Sequence, residues 1–181
     1  MAITIRNNDL TVREAYVWLT QVMPGCRNDD LEKIIATDAD CAFHYARDII
    51  KGRFEFGEPI IATDADLANW YASDIIQVRW ELGEPAIATD AYSSYRYAFN
   101  VLKGRFELGE PIIATDSFYS YLYAREVIQG RFELGEPAIA KGYNESYMYA
   151  VNVLKGRFEL GEPEIYESGL VNFYKSMFNI K

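Results

Sequence analysis

Few side chains in this 181-residue sequence could do chemistry, and most of those recur at one fixed spacing. The single histidine, His44, is a general base or metal ligand by type. Cys26 and Cys41 are the two thiols. Asp38 with Asp40, and Asp64 with Asp66, give a D-x-D spacing suited to the start of a cation site. Arg53, Arg79, Arg105, Arg131 and Arg157 could read phosphates as a ladder, but Glu58, Glu84, Glu110, Glu136 and Glu162 run beside them in the same register. Guanidinium forks and carboxylates at such spacing read instead as ion pairs between units. His44 has no repeated partner, and the D-x-D pairs lack the further oxygen ligands and glycine of a calcium loop. No CxxC, HExxH, P-loop, GxGxxG or GxSxG motif occurs. The evenly repeated carboxylates do not single out one asymmetric acid–base pair. We therefore expect no enzyme, no cofactor, no metal and no catalytic residue.

The elements that must position these residues follow from the repeat. GRFEFGEP begins at Gly52, VRWELGEP at Val78, and GRFELGEP at Gly104, Gly130 and Gly156, each 26 residues after the last. IIATD, AIATD, IIATD and AIAKG lie between them, and a third phrase ends in Tyr-Ala at 45–46, 71–72, 97–98, 123–124 and 149–150. Residues 15–25 align with 42–52 at an offset of 27, so the N-terminal segment reads as a degraded first unit. GEPEIYESGLVNFYKSMFNIK begins like a unit and then diverges. Within residues 111–136, Pro111 suits the first turn of a helix. Asp116 suits an N-cap. Tyr123, Ala124, Val127 and Ile128 form one stripe of a helix over 117–129, with Tyr121 further round, and Gly130 is expected to end that helix in the left-handed conformation. Arg131 to Gly135 reads as a turn with two apolar anchors, Phe132 and Leu134. Such a unit cannot bury its stripe alone, so stacking must create the core. The expected fold is a short, right-handed all-α solenoid, with a capping unit over 1–31, tandem repeats over 32–163 and a capping helix over 164–181.

Composition sets the remaining bounds. Half of the chain is apolar, 15 % is aromatic, and the net charge is −9. That charge opposes direct binding to nucleic acid and to an anionic membrane surface, and it suits a basic partner or a surface imitating nucleic acid. No apolar run reaches a membrane span and no secretion signal is evident. The two cysteines fall outside the repeat, and a cytoplasmic setting is expected.

Positions identical in every copy share one packing environment, whereas positions that differ are free for surface or binding. The Tyr-Ala and Phe/Trp series (Phe54, Trp80, Phe106, Phe132, Phe158) read as core. The long-helix positions that vary carry large rings: Trp70, Tyr92, Tyr95, Arg96, Phe118, Tyr119, Tyr121 and Tyr147. Such a composition is enriched where protein partners bind, and these eight are the candidate partner-binding residues.

The phrase carried by Tyr97-Ala98, Val101-Leu102-Lys103-Gly104-Arg105-Phe106 and Glu110-Pro111-Ile112-Ile113-Ala114 resembles a 26-residue repeat found in proteins of bacteriophages, prophages and some large viruses. The resemblance covers about residues 32–165. It implies a phage-like source and carries no activity. Gly142, in place of the cap aspartate, and Val78, in place of glycine, depart from it, so those two joints are expected to differ in geometry. The resulting expectation is a non-enzymatic scaffold that binds a host or viral protein, such as a phage inhibitor of host defence. The alternatives are an acidic nucleic-acid mimic and a sponge for a small nucleotide signal held in Tyr/Arg-lined joints. Self-association is left open.

Overall fold

The computed structural model describes residues 10–181. Among them the regular structure is entirely helical. In chain order the α-helices are α1 (Val12–Val17), α2 (Asp29–Ile35), α3 (Ala39–His44), α4 (Glu58–Ile61), α5 (Ala65–Trp70), α6 (Glu84–Ile87), α7 (Ala91–Tyr97), α8 (Glu110–Ile113), α9 (Ser117–Leu122), α10 (Glu136–Ile139), α11 (Tyr143–Met148), α12 (Glu162–Tyr166) and α13 (Val171–Phe178). The pattern is that of an α-solenoid: a one-turn helix and a long helix in each repeat. No helix of the described residues is long and apolar enough to cross a membrane.

Local chemistry explains each boundary. Proline stands in the first turn of α4, α8, α10 and α12, where its missing N–H has no intrahelical partner to lose. Asp38, Asp64, Asp90 and Asp116 each accept a hydrogen bond from the backbone N–H three residues on, at 2.8–2.9 Å. These are the N-caps of α3, α5, α7 and α9. Gly142 keeps the same extended backbone at φ −110°, and α11 starts there without a side-chain cap.

The long helices then change their winding. α3, α5, α7, α9 and α11 run on into π-helical turns at Tyr45–Ile50, Tyr71–Ile76, Ala98–Leu102, Tyr123–Ile128 and Tyr149–Leu154. The wider i→i+5 turn breaks the 3.6-residue stripe expected from the sequence. Val127 and Ile128, within the π-turn, are only half-buried, while Tyr121, in α9 before it, is 1 % exposed.

The termination signal also differs from expectation. The left-handed residue is Lys51, Gln77, Lys103, Gln129 or Lys155, at φ 50–58°, one place before the glycine position. The Gly130 N–H then reaches back to the Ala124 carbonyl at 3.1 Å. The Val78 joint does differ, as expected. Gln77 before it is left-handed like its counterparts, but its ψ is 17° against 36–43° at the other four, and Val78 does not make the bond that Gly52, Gly104, Gly130 and Gly156 give back to the alanine carbonyl. A side chain with a Cβ in this region carries a local cost. Gln129→Gly is expected to raise the unfolding free energy by up to about 1 kcal/mol, read as a higher midpoint in denaturant.

The chain forms two compact modules, Met1–Ile87 and Ala88–Lys181. In the first, α1 lies against α2 and α3, and the long helices beginning at α3 and α5 lie side by side. In the second, the long helices beginning at α7, α9 and α11 do the same, and α13 closes on α12. The core of each module is built from fully buried Tyr-Ala pairs, with Ile35, Ile61 and Ile87 in the first and Ile113, Ile139 and Ile165 in the second. Each core tyrosine ring meets the ring nine residues later, at 4.9–5.2 Å between centroids.

Candidate protein-interaction surface

The repeated polar residues form a buried connector. Arg105 grips Glu110 with two hydrogen bonds of 2.7 Å. Glu110 is only 7 % exposed and also accepts from the Tyr123 hydroxyl at 2.8 Å. That hydroxyl accepts in turn from the Phe106 N–H at 2.8 Å. The same four-part arrangement recurs at Arg53–Glu58–Tyr71–Phe54, at Arg131–Glu136–Tyr149–Phe132 and at Arg157–Glu162–Tyr174–Phe158. The ion pairs expected between units are thus made inside one loop, five residues apart, and it is the tyrosine that reaches from the next long helix.

Sequence comparison missed two ends of this series. Arg27 and Glu32 pair at the N-terminal side, where Tyr45 donates to Glu32 at 3.0 Å. Tyr174 fills the tyrosine role from α13. Arg27 and Glu32 do keep the 26-residue register with Arg53 and Glu58, but the residues between them had lost the Phe and Gly that mark the motif. Tyr174 falls one residue short of that register.

The connector sets a pH dependence. Burial raises the Glu110 carboxyl, but hydrogen bonds from Arg105 and Tyr123 outweigh it and leave the group below its ordinary range. Glu162 is lowered chiefly by Arg157. A carboxyl lowered by folding adds stability that is present above its unfolded value and lost as pH falls through the folded one. Burial pushes the Tyr174 hydroxyl up to about 12, and it raises Tyr71, Tyr123 and Tyr149 further. A raised phenol adds stability that is present below its unfolded value and lost as pH rises toward the folded one. Thermal unfolding at stepped pH is expected to show a plateau between about pH 5 and about pH 9.5, falling away on both sides. A midpoint that stays flat down to about pH 3 would contradict this assignment.

The variable long-helix residues divide by depth. The fifth position after the cap is interior in four of its five copies: Phe43, Asn69, Tyr95 and Tyr121 are 1–6 % exposed, and only Tyr147 is partly open. Tyr95 donates to Glu126, and Tyr121 accepts from Arg125 at 2.8 Å and from Asn152 at 2.9 Å. Tyr95 and Tyr121 therefore spend their rings on packing between helices rather than facing solvent. Trp70, Tyr92 and Phe118 are 41 %, 37 % and 46 % exposed, Arg96 is exposed, and Tyr119 is half-buried.

In the second module these rings come together. Tyr92 lies 5.8 Å from Tyr119, Phe118 lies 5.4 Å from Tyr119, and Tyr119 and Phe99 each stack with Tyr95, at 6.1 and 6.0 Å between centroids. Phe99 is exposed and was not among the sequence candidates. It sits in the π-helical segment, where the 3.6-residue period no longer reports which way a side chain faces. In the first module Trp70 packs near Phe43 at 6.1 Å, with Arg47 over the Phe43 ring.

Two crevices lie between neighbouring π-turns of the second module. One, of about 380 Å³, is lined by Arg125, Gln129, Asn152 and Lys155. The other, of about 210 Å³, is lined by Phe99, Lys103 and Glu126. Arg125 is already held by Glu126 and Tyr121. His44 sits near Asp40 and Asp48 at 3.6 and 3.5 Å on the half-exposed side of α3. Among the described residues no group of three or more His, Cys, Asp or Glu side chains is placed to hold a metal ion. The chain matches no protein-family model, no curated protein and no solved structure.

Proposed function

We propose that this chain is a non-enzymatic repeat scaffold that binds a partner protein through the aromatic cluster of its second module. The observation that carries this reading is the contiguous set Tyr92, Phe99, Phe118 and Tyr119, partly exposed on rigid helices whose buried faces are fixed by the Tyr-Ala packing. Large rings held by a stiff frame lose little entropy on binding and supply most of the energy at protein interfaces. In a phage setting, the natural partner is a host protein, including one that serves defence.

The connector weighs against the other two readings. A nucleic-acid mimic needs a continuous face of carboxylates, whereas five repeated glutamates (Glu58, Glu84, Glu110, Glu136, Glu162) are buried, and the exposed five (Glu55, Glu81, Glu107, Glu133, Glu159) each stand between an exposed apolar residue and a solvent-facing arginine two places earlier. A nucleotide sponge built on repeated Tyr/Arg joints needs open tyrosines, and those tyrosines are buried.

The test is affinity capture from host lysate with quantitative mass spectrometry, using the wild-type chain and Tyr92→Ser/Phe118→Ser. The reading expects one partner enriched by the wild type and reduced at least about tenfold by the double substitution. Equal recovery by both chains, or no specific partner, overturns it.

A further inference from the structure

The turn after every long helix carries a feature that folding does not explain. Its apolar residue is Phe56, Leu82, Leu108, Leu134 or Leu160, exposed by 42 %, 51 %, 54 %, 55 % and 55 %. An exposed leucine alone means little, but these five share one register. Among the other side chains kept in all five copies, the arginine has its buried glutamate and the Phe/Trp ring packs on tyrosine and glycine. Another exposed position, two residues after the cap, has drifted in type, reading Asp40, Asp66, Tyr92, Phe118 and Asn144. The leucine rung is equally open, yet it stays large and apolar.

Two neighbours define its chemistry. Pro137 lies three residues after Leu134, and Pro163 three after Leu160, along tight helical turns that put both on one side. All of these prolines are exposed, so each rung is a Leu-Pro step. Directly before each rung stands an exposed glutamate: Glu55, Glu81, Glu107, Glu133 or Glu159. Among the described residues their carboxylates make no ion pair, while the arginine two places earlier is already taken by its buried glutamate. The edge therefore presents apolar steps beside exposed carboxylates. The first module shows the matching contact within the chain itself: Lys33 places its Nζ 5.7 Å from the centre of the Phe56 ring.

We infer that this edge docks a lysine- or arginine-rich amphipathic helix of a partner protein. The inference rests on the scaffold reading above and goes beyond it in naming a second surface and the chemistry of what binds there. A second copy of the chain would set glutamate rows against glutamate rows, with −9 on each chain, and an anionic membrane meets the same repulsion. A basic helix removes it. Spacing agrees as well. Neighbouring long helices pack at about 8–10 Å, and seven residues of a helix rise about 10.5 Å, so one apolar side chain per heptad falls on successive rungs. In the second module these are Leu108, Leu134 and Leu160.

The test uses the full chain and a fluorescein-labelled peptide of about four heptads, with leucine once per heptad and lysine and alanine elsewhere. Fluorescence anisotropy is expected to show saturable binding. Leu108→Ser/Leu134→Ser/Leu160→Ser should weaken it about 100-fold, roughly fivefold per half-buried rung, with the far-UV circular dichroism of the chain unchanged. Glu107→Gln/Glu133→Gln/Glu159→Gln should flatten its salt dependence, and a peptide with glutamate for lysine should not bind. The inference is overturned if the wild type does not bind the peptide, or if wild type and the serine variant bind equally, which would mean a grip by net charge alone. It is also overturned if sedimentation shows that the serine substitutions dissolve a dimer, which would assign the edge to a second copy. Each of these results leaves the aromatic-cluster experiment to stand or fall separately.

Discussion

Tyr123→Phe is expected to lower the unfolding free energy by about 2–3 kcal/mol, although it removes a single oxygen atom. The ring is fully buried. Its hydroxyl donates to Glu110 Oε1 at 2.8 Å and accepts from the Phe106 N–H at 2.8 Å. Phenylalanine fills the same space but leaves a buried N–H without an acceptor and a buried carboxylate with one donor fewer. An unsatisfied buried polar group costs about 1–3 kcal/mol, and bonds to charged groups lie at the upper end. Arg105 still holds Glu110, so the carboxylate is not stranded and the loss stops short of the greater cost of a broken buried ion pair. The control is Tyr92→Phe on the open side of α7, expected to change stability by less than about 0.5 kcal/mol. Denaturant unfolding followed by circular dichroism reads both. A loss for Tyr123→Phe no larger than that of the control would mean that water enters and takes over the hydroxyl's two bonds.

The second large effect separates two glycines five residues apart. Gly109→Ala is expected to cost about 1–3 kcal/mol through overpacking, whereas Gly104→Ala should stay within about 0.5 kcal/mol. A Cβ on Gly109 would run into the Phe106 ring and come within 2.7 Å of Ser94 Oγ. The ring cannot yield, because it is packed 5.1 Å from Tyr97. A Cβ on Gly104 meets nothing closer than the Leu102 carbonyl oxygen at 3.8 Å. Val78 is the natural precedent at the Gly104 position, and it is 62 % exposed. Gly57, Gly83, Gly135 and Gly161 repeat the close approach to a Phe or Trp ring, so the glycine of the L-G-E-P phrase is fixed by packing, and the glycine of G-R-F is not.

Much of the architecture could be read from spacing, because caps and prolines act locally. Asp116 and Pro111 announce their helices with nothing else known, and the Tyr-Ala pairs announce a core. What escaped was whatever depends on winding or on a neighbour in space. Hydrophobic periodicity assumes 3.6 residues per turn, so the π-turns hid the exposure of Phe99. Gly130 drew the left-handed assignment because glycine is the usual occupant, whereas the backbone places Gln129 there. Leu134 looked like an anchor beside Phe132, since a turn of unknown shape gives no signal for which of two apolar residues points inward. The arginine and glutamate ladders were visible, but only geometry reveals that the carboxylate is buried and answers to a tyrosine 13 residues later. Of the eight ring-rich candidates, Tyr95 and Tyr121 turned out to be interior for the same reason: variation between copies marks freedom from one shared environment, not access to water.

The joint at Lys103-Gly104-Arg105 and the joint at Gln129-Gly130-Arg131 are interchangeable in backbone and in the partners that follow them. Excising residues 105–130 would bring Gly104 directly to Arg131 and restore the same phrase, with Glu136 still waiting for Tyr149. The number of repeats is therefore a quantity that unequal recombination can raise or lower in whole steps, without any residue having to be redesigned. Reach along a ligand becomes a heritable dial, adjusted by copying, while the joint chemistry stays constant.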